Sequence, residues 1–217
     1  MVNAAILVVA AGLLVGLLVA EGRRSTGLIL SFKTPLSALF VLIAVIQPHP
    51  IPSYYHWVLA GLVCGLIGDV CLALKGDAAF RAGLVAFLLG HILYVVAFAG
   101  LTEQREWLTP VHLIIAAAAV VVFWWLRPNL GAMVVPVGLY IIVISVMLAA
   151  AWVAFVNPAL NWKGAWSLFI GALCFYASDV FVARERFKES QSVNRLLGLP
   201  LYYCGQFLIA FSVALVR

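Results

Sequence analysis

Charge is what this chain has least of. Asp, Glu, Lys and Arg make up 10% of its 217 residues, whereas an ordinary soluble domain carries about 25%. With 66% hydrophobic residues, there is too little polar surface to clothe a soluble globule. Cysteine is scarce as well. Cys64, Cys71, Cys174 and Cys204 all fall inside apolar segments, and no Cys-x-x-Cys pair occurs. That excludes a disulfide framework and a thiolate metal site, and leaves the thiols as small packing residues. The four histidines do not converge: His49, His56 and His112 lie in or near connections, and His91 stands alone in an apolar run. No metal and no other cofactor is expected on these ligand criteria. No glycine-rich nucleotide loop, Ser-His-Asp set or Cys-His pair can be assembled either. The net charge of +5 does not indicate nucleic acid, because the basic residues sit in short connections between apolar runs.

Long apolar runs are what the chain does have. A bilayer-spanning helix needs about 20 mostly apolar residues. Eight such runs are read at about 2–20, 30–47, 55–74, 81–101, 108–127, 131–156, 163–183 and 195–216. The expected fold is all-α, a polytopic membrane protein of eight transmembrane helices in one integral domain, with halves at about 1–103 and 104–217. Residues 2–20 lack a basic segment before the apolar stretch, and Arg23 and Arg24 follow it, so a retained helix is expected rather than a signal peptide. Arg23, Arg24, Lys33, Lys75, Arg81, Arg127, Arg184, Arg186, Lys188 and Arg195 fall on one side of this arrangement. Arg105, Lys163 and Arg217 fall on the other. The positive-inside rule then places both termini outside and the arginine-rich connections in the cytoplasm. A compact chain without retention or sorting signals points to a bacterial inner membrane.

Two aspartates interrupt the apolar runs in matching contexts. Asp69 lies in Gly61-Leu-Val-Cys-Gly-Leu-Ile-Gly-Asp-Val-Cys-Leu-Ala73, and Asp179 in Gly171-Ala-Leu-Cys-Phe-Tyr-Ala-Ser-Asp-Val-Phe-Val-Ala183. A carboxylate at the centre of a membrane helix costs roughly 2.5–3.5 kcal/mol on insertion scales, so such residues point to function. The likeness continues in Gly83, Phe87, Gly90 and His91 against Gly198, Tyr202, Gly205 and Gln206. Two four-helix halves of like orientation are expected, related by an axis along the membrane normal. That arrangement places both acids at similar depth, in the half of the membrane nearer the basic connections.

Other polar residues can reach that layer. Lys33 opens the second run, where a snorkelling interfacial anchor is the competing reading. Phe87, His91 and Tyr94 share a face at i, i+4 and i+7. A lone histidine there more often belongs to the core. Ser178, beside Asp179, more often bonds backbone than acts as a nucleophile. Tyr140, Asn194, Tyr202, Tyr203 and Gln206 complete the set.

These residues carry a family resemblance. Lys33-Thr34-Pro35, Gly68-Asp69, Gly90-His91-Ile92-Leu93-Tyr94, Pro136 with Tyr140, Gly171-Ala172, Phe175, Ser178-Asp179 and Tyr202-Tyr203 with Gln206 occur in order. The pattern resembles the YhhN-type lysoplasmalogenase family of eight-helix membrane proteins, from the second helix to the eighth. The resemblance implies hydrolysis of the vinyl-ether bond of lysoplasmalogens to a fatty aldehyde and a glycerophospho-headgroup. It makes a lysophospholipid the substrate and requires no obligate protein partner besides membrane lipids. Vinyl-ether hydrolysis needs a proton donor, a base for water and negative charge beside an oxocarbenium-like cation, roles that paired carboxyls fill in glycoside hydrolysis. Asp69 and Asp179 are the expected catalytic pair. Lys33, His91, Tyr94, Tyr140, Ser178, Asn194, Tyr203 and Gln206 are the expected substrate-binding residues. Buried acids in parallel repeats also describe proton-coupled carriers of small molecules or lipids. That is the rival reading.

Overall fold

The computed structural model describes residues 2–102 and 109–217. Within them the chain forms eight α-helices and no strand. These are α1 (Val2–Gly22), α2 (Thr26–Ile46), α3 (Pro52–Ala73), α4 (Asp77–Ala99), α5 (Pro110–Leu126), α6 (Val134–Val156), α7 (Trp162–Phe187) and α8 (Ser192–Leu215). Two 3₁₀ turns, Arg127–Asn129 and Gly131–Met133, link α5 to α6. Each helix, with the first of those turns added to α5, is long and apolar enough to cross a bilayer. The expected all-α, eight-span architecture is what the chain adopts. Arg105 and the boundaries expected near 103, 104 and 108 lie outside the described residues.

Helix ends follow local chemistry. Pro52 and Pro110 stand at the first turns of α3 and α5, where a missing N–H costs nothing. Thr109 caps α5 reciprocally with His112. α2 begins at Thr26 rather than near residue 30. Lys33 therefore lies two turns inside the helix and is buried, 6% exposed. It is not a snorkelling anchor, because an acid on α3 neutralises it. α7 continues through Arg184-Glu185-Arg186 to Phe187, past the end expected at 183. Basic side chains in its last turn suit the negative end of the helix dipole.

α3 packs most extensively on α4, and α7 on α8. The two pairs cross in the same register. A methyl at Gly90 would stand 3.2 Å from the Gly61 carbonyl oxygen, and one at Gly205 would stand 2.8 Å from that of Gly171. Two turns nearer the basic end, Gly83 faces the Gly68 carbonyl and Gly198 that of Ser178. Backbones as close as those at Gly90 and Gly205 favour glycine at each crossing. Around these pairs, α2 packs on α1, α3 and α8, while α6 packs on α5, α7 and α4. α1 and α5 are peripheral, and their exposed faces carry Val8, Val15, Leu113, Ile114 and Trp124, as lipid contact requires.

Candidate functional site

Small residues on α3 and α7 let the four central helices close around one cavity of about 430 Å³. Its walls come from the C-terminal halves of α1, α3, α5 and α7, with Glu21 the contribution of α1, and from the N-terminal halves of α2, α4, α6 and α8. It therefore lies toward the arginine-rich end of the bundle. Asp69 and Asp179 both line it. Its body is apolar, with Leu84, Val122, Leu126, Ile141 and Ile144 among the lining residues.

The two acids have very different surroundings. Asp69 is 1% exposed. Its Oδ1 lies 3.2 Å from Lys33 Nζ. Its Oδ2 accepts from the Ser37 hydroxyl and from the Tyr202 hydroxyl, each at 2.6 Å. The Tyr203 hydroxyl stands 3.2 Å from Ser37 Oγ. Ser37 Oγ also lies 3.0 Å from the Lys33 carbonyl oxygen; with its single proton given to an ionised Asp69, Ser37 can accept from Tyr203. A cation and two hydroxyl donors are partners that an ionised carboxylate, which only accepts, can use in full. Asp179 is more open to the cavity. Its Oδ2 accepts from the Tyr140 hydroxyl at 2.6 Å. The ring of His91, fully buried, lies edge-on to Tyr140 with centroids 5.2 Å apart. His91 Nε2 is 3.8 Å from Asp179 Oδ2, beyond hydrogen-bond length. Neither ring nitrogen of His91 has a hydrogen-bond partner among the described residues.

The remaining expected site residues separate into two groups. Lys33, Tyr140, Ser178 and Asn194 line the cavity. The Ser178 hydroxyl is spent on the Phe175 carbonyl at 2.7 Å, which fits its reading as a backbone-bonding serine. Asn194 belongs to a polar cluster at the mouth. It donates to Glu185 at 2.7 Å and accepts from Arg184 at 3.1 Å, while Glu185 also pairs with Arg195 at 2.7 Å. Arg186 pairs with Asp77 of α4 and lies over the Phe80 ring. His91, Tyr94, Tyr203 and Gln206, by contrast, are not on the cavity wall. Phe87, Phe175 and Tyr202 pack against one another in front of them. Gln206 and Tyr94 sit deeper in the bundle, one turn beyond Tyr202 and two turns beyond Phe87.

Two contributors fall outside the expected catalytic and substrate-binding residues. Ser37 follows Lys33 by one turn, and that i, i+4 polar pair in an apolar helix was its only signal. Tyr202 is legible as a polar residue of the aspartate layer and as a position shared by the halves, but nothing in the sequence marks its hydroxyl as a partner of Asp69. Among the described residues no group of His, Cys, Asp and Glu is arranged to hold a metal ion.

Fold and site together define a class: a polytopic helical membrane protein with a largely apolar cavity lined by two aspartates from its membrane-spanning helices. The profile of the YhhN family matches residues 28–213. The chain belongs to that family. It is similar to a "Lysoplasmalogenase" of Mycobacterium bovis, with 30% identity over 181 residues covering 80% of this chain and 64% of that protein. It is likewise similar to "Lysoplasmalogenase TMEM86A" of Bos taurus, with 32% identity over 158 residues covering 71% of this chain and 64% of that protein. The "Uncharacterized membrane protein YhhN" of Escherichia coli O157:H7 is 28% identical over 186 residues, covering 83% and 85%. The match thus spans a little under two thirds of the mycobacterial and bovine proteins. No solved structure matches.

Proposed function

We propose that this chain is a membrane-embedded hydrolase that cleaves the vinyl-ether bond of lysoplasmalogens, with Asp179 as proton donor and Asp69 as the ionised partner. The observation that carries the reading is the asymmetry of two acids on one cavity wall. Asp69 is paired with Lys33 and receives two hydroxyl donors. Asp179 receives only Tyr140, on Oδ2, among the described side chains that donate to it. A proton on Asp179 Oδ1 is then free to face the cavity. The names of the mycobacterial and bovine relatives support the same substrate.

The reaction balances with these two groups alone. Asp179 protonates the vinyl β-carbon of R–CH=CH–O–R′, and the positive charge spreads over the adjacent carbon and oxygen. The Asp69 carboxylate stabilises that cation by charge. Water adds to the α-carbon and gives its proton to Asp69. The hemiacetal collapses: its hydroxyl proton returns to Asp179, Asp69 protonates the leaving glycerol oxygen, and R–CH₂–CHO and R′–OH depart. Each positioned proton transfer of this kind contributes about 10²–10⁴-fold. The acyl-like tail would lie against Val122, Leu126, Ile141 and Ile144, and the glycerophospho end would face Arg186 and Arg195 at the mouth. The cavity lies at the basic end, which under the positive-inside rule supports a mouth at the cytoplasmic leaflet and both termini outside. The common register of the α3–α4 and α7–α8 crossings supports descent from a duplicated four-helix unit.

Aldehyde release from a lysoplasmalogen by detergent-purified protein tests the reading against the carrier alternative. A hydrolase needs no sealed membrane or gradient. Uptake of intact lipid or solute into proteoliposomes, with no aldehyde formed, would replace it with a carrier.

A further inference from the structure

Asp69 stands at the end of a chain of hydrogen bonds whose direction is forced. Tyr202 has one proton, and Asp69 Oδ2 takes it at 2.6 Å. Tyr202 must therefore accept from its other neighbour, Gln206, whose Nε2 lies 3.2 Å away. With its amide nitrogen committed there, Gln206 presents Oε1 to Tyr94, which donates at 2.7 Å. The order Tyr94 to Gln206 to Tyr202 to Asp69 admits no reversal while Asp69 is a carboxylate. All four residues are buried: Tyr94 1%, Gln206 0%, Tyr202 7% and Asp69 1% exposed. The facing helix is carved to fit them. A methyl at Gly65 would stand 2.5 Å from Gln206 Nε2, and one at Gly61 would overlap the Tyr94 ring. Neither Gln206 nor Tyr94 lines the cavity, so neither can touch a substrate there.

We infer that Gln206 is a positioning residue for the reaction, acting with Tyr94 to keep the Tyr202 proton on Asp69. This rests on the hydrolase reading, in which Asp69 works as a carboxylate. Without a donor at position 206, Tyr202 is no longer held in one rotamer of its hydroxyl. Asp69 then loses the persistent part of one charge-assisted hydrogen bond, a class about twice as strong as neutral ones. A purely structural glutamine would instead satisfy buried groups and nothing more.

The test is a cycle in the detergent-purified full chain. Tyr202→Phe lowers kcat by about tenfold or more, the loss of one hydrogen bond to a charged group. Gln206→Leu and Tyr94→Phe lower kcat by a smaller factor, roughly three- to tenfold by the same scale, with KM unchanged because neither residue lines the cavity. Gln206→Leu added to Tyr202→Phe costs nothing further, because the chain is already cut. Multiplicative losses in the double variant, or a rise in KM alone, would overturn the assignment. Tyr94→Phe removes a single oxygen and keeps the test decisive where Gln206→Leu disturbs folding. A second readout needs no turnover. The infrared band of the Asp69 carboxylate, isolated by subtracting the Asp69→Asn spectrum, shifts in Tyr202→Phe and shifts the same way in Gln206→Leu and Tyr94→Phe. A band unmoved by the last two overturns the chain. Wild-type protein that releases no aldehyde overturns the hydrolase reading instead, and the band still decides on the chain.

Discussion

Replacing Lys33 by methionine keeps most of the length of the side chain and removes its charge. Lys33 and Asp69 are 8% and 2% exposed in their side chains and 3.2 Å apart. At that separation two unit charges attract by about 5 kcal/mol for an effective dielectric of about 20. Most of that attraction offsets the cost of taking both ions out of water, so the pair itself is worth little net. Removing one partner is different, because it strands the other charge. Loss of one member of a buried pair costs about 3–5 kcal/mol. Ser37 and Tyr202 remain bonded to Asp69 and moderate that figure toward its lower end. For a chain of this size each kcal/mol lowers the unfolding temperature by about 2–4 °C, so Lys33→Met should lower it by roughly 6–12 °C. Aldehyde release should also fall by about 10²-fold or more, since Asp69 either takes up a proton or loses its fixed geometry. The double variant Lys33→Met/Asp69→Asn separates the two effects. Both charges are gone, so most of the stability returns, with a coupling energy of about 2–3 kcal/mol, while activity stays absent. Thermal unfolding in detergent, followed by intrinsic tryptophan fluorescence, reads the first quantity and an aldehyde assay the second. An unfolding temperature for Lys33→Met within about 2 °C of wild type, less than 1 kcal/mol on the same scale, would refute the stranded-charge reasoning. Strictly additive losses in the double variant would do the same.

Three further outcomes follow from particular contacts. Tyr140→Phe removes the hydroxyl donor to Asp179 Oδ2 and should lower kcat by about 10–100-fold while leaving the unfolding temperature nearly unchanged, because the rest of the ring still packs on His91; steady-state kinetics on purified variant and wild type check this. Gly205→Val forces a branched side chain against the Gly171 carbonyl and the Phe175 amide nitrogen, 2.8 and 3.0 Å from the first added carbon; it should destabilise by about 1–3 kcal/mol or more and reduce the yield of monodisperse protein, measured by size-exclusion chromatography and thermal unfolding. A single cysteine placed at Lys188 should resist an impermeant thiol reagent in intact cells, and one appended after Arg217 should react; the reverse pattern would turn the cavity toward the other leaflet.

The helices were legible in the sequence because each is an apolar run of bilayer length. Their ends were less so where polar residues continue a helix. Thr26 and Gly27 extend α2 before its apolar stretch, and Arg184-Glu185-Arg186 extends α7 beyond its own. That error at α2 is what disguised Lys33 as an interfacial anchor. The two aspartates stood out because an acid in an apolar run is costly wherever it faces. Their partners did not stand out equally. A serine such as Ser37 adds one hydroxyl to a helix, and its i, i+4 spacing from Lys33 does not say which acid it meets; its 2.6 Å bond to Asp69 does. Depth along a helix was readable for Gln206, Tyr94 and His91, but which layer borders the cavity depends on how Phe87, Phe175 and Tyr202 pack between them. Unequal roles for the two acids are legible, since Gly68 precedes one and Ser178 the other, but which acid is the donor is not. That depends on neighbours from other helices: α2 brings Lys33 and Ser37 to Asp69, and α6 brings Tyr140 to Asp179.

The central claim is that Asp179 supplies the proton and that this chain hydrolyses a vinyl ether with it. The most direct test is the rate of aldehyde release from lysoplasmalogen by purified Asp179→Asn protein, beside wild type of equal unfolding temperature and monodispersity. Asparagine keeps the shape of the side chain and can accept from Tyr140, but it has no acidic proton to deliver. The account predicts a robust wild-type rate and a kcat about 10²–10⁴-fold lower in the variant, with KM within a few-fold. A variant that releases aldehyde at close to the wild-type rate would contradict it.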